Sequence, residues 1–193
     1  APKKAPKKNP MGKGKAAEPA EPKEKKPRDS GAVNGAREDG TLNIFAGTKE
    51  NVRLSNFAKR PFTVKVSDPD KLYEQEFWSV EQYFHWEKHY YMEAMADDDA
   101  EMEEQMQAIR DWADALLKVK DGATLKAMGG KLPPGVKFDN KFWDETAAAD
   151  TMDDGIWYSF EQNPEARAEL LGTGTATLTH IGGPTTRWTK EFP

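Results

Sequence analysis

Residues 1–40 contain no Phe, Trp, Tyr, Leu or Ile, so a packed core must come from residues 41–193. A segment without large apolar side chains cannot bury enough surface to offset the entropy of ordering its backbone. It opens with Ala-Pro-Lys-Lys twice, from Ala1 and from Ala5, and continues in Lys, Pro, Glu and Gly. We read it as a disordered, low-complexity tail. Eleven Lys and Arg stand against six Asp and Glu there, a charge of +5. The whole chain of 193 residues carries −5, so residues 41–193 carry −10. A basic tail of this kind can contact nucleic acid or another polyanion through phosphate charge. It holds no aromatic rings, so base stacking is not expected of it.

The remaining 153 residues suit a single domain. The chain has no cysteine, which excludes disulfides and thiolate metal sites and fits a reducing compartment. No apolar run approaches the ~20 residues of a membrane span, and the first 40 residues lack the apolar segment of a signal peptide. A cytoplasmic location is expected, with nuclear or virion-associated placement as alternatives. The sequence does not indicate an oligomeric state.

The expected fold class is α+β, mainly helical, with a small N-terminal β element. Leu42 to Phe45 reads as a short strand, Gly47 to Val52 as a loop, and Pro61 to Val66 as a half-buried strand with Phe62, Val64 and Val66 on one face. After the turn Asp68-Pro69-Asp70, a second strand from Leu72 to Phe77 leads into a helix. Ser79 followed by Gln82 is a capping box that starts it, and it runs to about Met95. Met102, Met106, Ile109, Ala113, Leu116 and Leu117 recur at helical spacing, with Asp97 to Asp99 near the helix start. Gly122 to Met128 reads as a short helix closed by Gly129-Gly130. Asp139 to Phe160 reads as one helix, with Phe142, Thr146, Ala149, Met152 or Asp153, and Ile156 along one side. Pro164 to Leu171 is a last helix capped by Asn163. Gly172 to Leu178 is Gly/Thr-rich, and the remainder is irregular.

On the helix that Ser79 starts, Glu81, Phe84, His85 and Lys88 share one face. A carboxylate and an ammonium thus lie among aromatic rings, which a core-filling helix does not need. His85 and His89 have a metal-compatible i, i+4 spacing, but Trp86 stands where a zincin has Glu. No metal site and no cofactor is expected, since the glycines form neither a dinucleotide fingerprint nor a P-loop. Periodicity alone leaves Glu81 open as a surface residue, a partner of Lys88 or His85, or a site carboxylate.

Several segments in order resemble the NADAR family, also called YbiA-like proteins. They are Asn43-Ile44-Phe45, Leu54 to Phe57 with Pro61-Phe62, Ser79 to Phe84 with Lys88, and Ala127-Met128-Gly129. Trp143, Met152, Phe160 with Asn163-Pro164, and Leu170-Leu171 before Thr173-Gly174 follow. The resemblance spans roughly residues 42–188 and implies a compact, mainly helical α+β fold. It implies cleavage of an N-glycosidic bond, in phosphorylated ribosylamino-pyrimidines of riboflavin metabolism or in ADP-ribosyl-nucleobase adducts. By the same resemblance Glu81 is the catalytic carboxylate, and Trp143 joins it as a base-stacking ring. Asn56, Phe57, Phe84 and Lys88 bind substrate, and basic residues near Arg53 help Lys88 to hold a phosphate. The partner implied is a ribosyl or ADP-ribosyl small molecule.

The C-terminal part departs from the family pattern. The aligned Trp188, expected in substrate binding, is followed by Thr189 where Gly is usual. Thr185 or Thr186 stands where Asp is usual, and His180 near a frequent Glu. The family's closing helix has no counterpart before Pro193. Such a pattern fits a truncated or processed chain, or a divergent member that binds an ADP-ribose-like ligand without cleaving it. A further alternative is a structural virion- or chromatin-associated protein whose tail holds nucleic acid.

Overall fold

The computed structural model describes residues 40–44, 51–68, 71–96 and 102–179. The tail to residue 39, Phe45, most of the loop at 47–52, Pro69-Asp70, Asp97 to Asp99, His180 and Trp188 lie outside the described residues. The fold is α+β and mainly helical, and no helix among the described residues is long and apolar enough to cross a membrane.

Strand β2 (Phe62–Asp68) pairs antiparallel with β3 (Lys71–Phe77), setting Phe62 opposite Phe77 and Val66 opposite Tyr73. Phe62, Val64 and Val66 are buried in alternation, as their period-2 spacing requires. They pack on helix α1 (Val80–Ala94) through Val80, Tyr83 and Trp86. Phe77 meets Tyr83 and Trp86 edge-on, each at 5.1 Å between ring centroids. Full burial of one such side chain is worth roughly 1.5–3 kcal/mol, so this cluster fixes the hairpin on α1.

Helix α1 begins as its capping residues dictate, with Ser79 Oγ accepting from Gln82 N at 3.3 Å. The Gln82 side chain goes further than a capping box. Its oxygen accepts from Trp78 N at 2.6 Å, one residue before the cap. Its amide donates to Leu116 O at 2.8 Å and Val119 O at 2.9 Å. Those carbonyls close the end of α2 (Met102–Lys118), where a helix has no internal donors left. A fully buried glutamine thereby ties the start of α1 to the end of α2. Ile109, Ala113 and Leu116 supply the buried face of α2.

Helix α3 is Gly122–Gly129, so Gly129 belongs to the helix rather than closing it. The expected single helix at 139–160 is two, α4 (Asn140–Thr146) and α5 (Ala148–Gln162). The break is at Ala147, with φ at −127°. It rotates the inward face. Trp143 is buried while Phe142 is largely exposed, and Thr151, Gly155 and Ser159 take over on α5. Asn163 sits at the start of α6 (Pro164–Gly172), but its side chain caps nothing there. Its amide instead donates to Pro61 O at 2.9 Å and Ser159 O at 2.7 Å.

The Gly/Thr-rich segment contributes a strand, β4 (Thr177–Thr179), parallel to β1 (Thr41–Asn43). Leu42, Leu54, Phe160 and Ala166 form the small core beside this pair.

Candidate functional site

The segment 51–60 is laid across the start of α1 by two backbone bonds. Glu81 N donates to Asn56 O at 3.1 Å, and Arg60 N donates to Trp78 O at 3.1 Å. Asn56 thus satisfies a first-turn amide of α1 and sits beside Glu81. The Asn56 side-chain amide points to Met152 Sδ on α5, at 3.1 Å. Phe57 lies flat on the start of α3, where a Cβ on Gly122 would fall 2.3 Å from its ring. Asn56 therefore meets both Glu81 and Met152, bringing together three separate stretches of chain, with Phe57 next to it.

Along the α1 stripe, Glu81 Oε1 and His85 Nε2 are 3.1 Å apart, and the Glu81 side chain is only 12% exposed. The His85 ring lies against the Gly129 backbone, and its Nδ1 has no hydrogen-bond partner among the described residues. A Cβ at position 129 would stand 2.1 Å from that ring. Gly129→Ala is therefore expected to cost about 1–3 kcal/mol, as overpacking does when a buried ring must move. Urea unfolding reads it, and an unchanged midpoint would show that His85 is loosely held.

One turn beyond, Lys88 is buried beneath three aromatic rings. Its Nζ is 5.8 Å from the Trp143 ring centre and 6.0 Å from those of Phe84 and Phe138. Burial lowers the Lys88 pKa, and Asp144 and Glu81 partly restore it. Among the described residues no carboxylate lies within ion-pair distance of Lys88; the close partner of Glu81 is His85. Trp143 is 1% exposed, with Phe84 at 5.5 Å and Tyr91 at 4.9 Å between ring centroids. In this packing the indole braces Phe84 and Lys88 from behind and offers no open face for stacking a base.

His85 and His89 turn to different partners. His89 Nδ1 lies 2.6 Å from Trp86 O, and burial lowers its pKa. Among the described residues no group of three or more His, Cys, Asp or Glu could hold a metal ion.

The NADAR domain family profile matches residues 44–188. The chain belongs to the NADAR family. The NMR structure of the E. coli protein YbiA is similar to this NADAR domain, with a TM-score of 0.51 and 20% identity. The alignment covers 82% of this chain and 79% of that one. At that identity the likeness bears on the fold. No curated protein matches the chain.

The structure of this NADAR domain brings Asn56, Phe57 and Glu81 to one place. Phe84 and Lys88 stand one to two turns along α1, and Trp143 of α4 packs against Phe84. Sequence reasoning missed Tyr91 and Phe138, which complete the aromatic packing around Trp143. Tyr91 falls at i+3 from Lys88 and could have been read as part of the stripe; Phe138 carries no periodic signal.

Proposed function

We propose that this NADAR domain is an N-glycosidase. Its substrate is a phosphorylated ribosylamino-pyrimidine or an ADP-ribosyl-nucleobase adduct. The observation that carries the reading is the mostly enclosed Glu81 carboxylate, 3.1 Å from His85 and bordered by Asn56. Breaking a ribosyl C–N bond builds positive charge on the sugar, as in glycoside hydrolysis. A carboxylate already placed in a poorly solvated site stabilises that charge without reorganising, and can take a proton from the attacking water. His85 Nε2 orients the carboxylate oxygen it faces. Asn56 and Phe57 border the sugar, and Phe84, braced by Trp143, walls the aromatic side. Lys88, whose pKa burial lowers and which has no close carboxylate, faces an anionic group of the ligand.

The test is incubation with ribosylamino-pyrimidine phosphate and, separately, with ADP-ribosylated guanosine, separating free base from substrate by chromatography. Release of base from at least one is expected. Saturable binding of both without release would favour the second reading, a NADAR module that binds such ligands without cleaving them. The departures at Thr185 or Thr186 and at Thr189 are the observation behind that alternative.

A further inference from the structure

A groove of about 440 Å³ lies between α2 and the loop that follows α3, at residues the glycosidase reading does not use. Its walls are apolar, with Ala108 and Trp112 on the α2 side and Met128, Leu132, Pro133 and Pro134 on the other. The loop is held in shape by its own backbone. Lys131 N donates to Met128 O at 2.9 Å, and Val136 N donates to Pro133 O at 3.2 Å. Trp112 is fixed as well, because it packs on the core of Phe77 and Trp86 and on that of Met92 and Ile109.

The chemistry of the walls suits a proline-rich segment. The Trp112 indole N–H has no hydrogen-bond partner among the described residues. A polyproline II segment makes no internal hydrogen bonds, so its carbonyls are free to accept one. Aromatic-lined grooves hold such segments at low entropic cost, since their shape is set before they bind. The rim adds charge. Asp111 and Lys131 line the groove, both exposed and neither in an ion pair with a described residue. Gln107 Nε2 donates to Asp111 Oδ1 at 2.8 Å and leaves its charge unmatched. An occupant with both signs of charge beside its prolines matches this rim.

The chain itself carries such a segment. Residues 1–39, outside the described residues, contain Pro19-Ala20-Glu21-Pro22-Lys23. Pro19 and Pro22 are one polyproline II turn apart, so both can face one wall. Glu21 and Lys23 flank Pro22 with the charges that Lys131 and Asp111 would pair. Sixteen residues separate Lys23 from Gly40, where the described chain begins. At ~3.1 Å each they reach ~50 Å, while a domain of this size has a radius of gyration of ~15 Å. The tether sets an effective concentration on the order of millimolar, enough to fill a groove of modest affinity.

We propose that the groove between α2 and the loop after α3 docks residues 19–23 of the same chain. The proposal goes beyond the glycosidase reading and does not depend on it, since no groove residue belongs to the Glu81 cluster.

A peptide of residues 17–27, titrated calorimetrically into the full chain and into its variant Pro19→Ala, Pro22→Ala, tests this. The substitutions leave every charge of the tail in place and lie outside the folded core. In the wild type the tethered segment competes with the peptide. The variant is therefore expected to bind the peptide saturably and at least ~5-fold more tightly than the wild type does. Adding Asp111→Lys and Pro134→Ala to that variant should weaken peptide binding severalfold. Both side chains are exposed, and matching thermal midpoints would confirm that the variants are folded. Equal affinity of wild type and tail variant overturns the proposal, because the groove would then be open in the wild type. So does absence of saturable binding by the tail variant, or binding that ignores Asp111→Lys and Pro134→Ala. A wild-type mass by light scattering that doubles with concentration, and does not in the tail variant, would seat the segment in a second copy and overturn docking within one chain.

Discussion

Replacing Glu81 by Gln is expected to reduce turnover by about 10²–10⁴-fold, a loss of about 3–5 kcal/mol of transition-state stabilisation. The change keeps the shape of the side chain and leaves an oxygen to face His85 Nε2. It removes only the charge and the basicity. With 12% of the side chain exposed, water cannot replace the missing charge at the developing cation. The thermal midpoint should remain near that of the wild type, because Asn56 bonds to the backbone of residue 81 and not to its side chain. Substrate affinity should change far less than turnover, since the charge acts chiefly in the transition state. The measurement is kcat and KM on whichever substrate the wild-type chain cleaves. Turnover within threefold of wild type would remove Glu81 from the mechanism.

The legible parts of this domain are those governed by short-range periodicity. The alternation of Phe62, Val64 and Val66 declares β2, and Ser79 with Gln82 declares the start of α1. Local rules do not contain what Gln82 does at 34 and 37 residues' remove, where it closes α2. The same limit explains Asn163. It has the residue type and position of a cap, yet Pro61 and Ser159 present carbonyls that claim its amide. The pair β1–β4 joins residues more than 130 positions apart, so nothing in either three-residue segment announces it. The break at Ala147 was hidden because the helical pattern continues through it in composition. Only the need to bury Trp143 on one side and Gly155 on the other reveals the turn. In the candidate site, the α1 stripe was visible as spacing, but the packing of Trp143 was not. An indole that the family resemblance implies as a base-stacking ring is enclosed by Phe84, Tyr91 and Phe138.

Replacing Glu87 by Gln is expected to stabilise the folded chain at pH 8 by about 3 kcal/mol and to leave it unchanged near pH 4. Glu87 lies on α1 facing Asp154 of α5, and burial, then that second carboxylate, raises its pKa from 4.5 to about 7. The folded chain therefore binds a proton at Glu87 that the unfolded chain has released between pH 4.5 and 7. Its contribution to stability is fully present below the unfolded value and is lost as pH rises through the folded one. Gln mimics the protonated form at every pH, so the difference between variant and wild type opens across that window. His89 works in the opposite sense, because burial lowers its pKa from 6.5. Lys88, lowered from 10.5, does so too, making stability rise with pH up to its unfolded value. Both groups are common to the two proteins and cancel in the comparison. The neighbouring Tyr83 phenol, pushed upward by burial and by Glu87, stays neutral throughout the window. Urea unfolding of both proteins at pH 4, 6 and 8 measures the effect. Asp154→Asn should recover a smaller part of the same gain, because it removes the lesser of the two causes. Equal stabilities of wild type and Glu87→Gln at pH 8 would mean that Glu87 is solvated and titrates as an ordinary carboxylate.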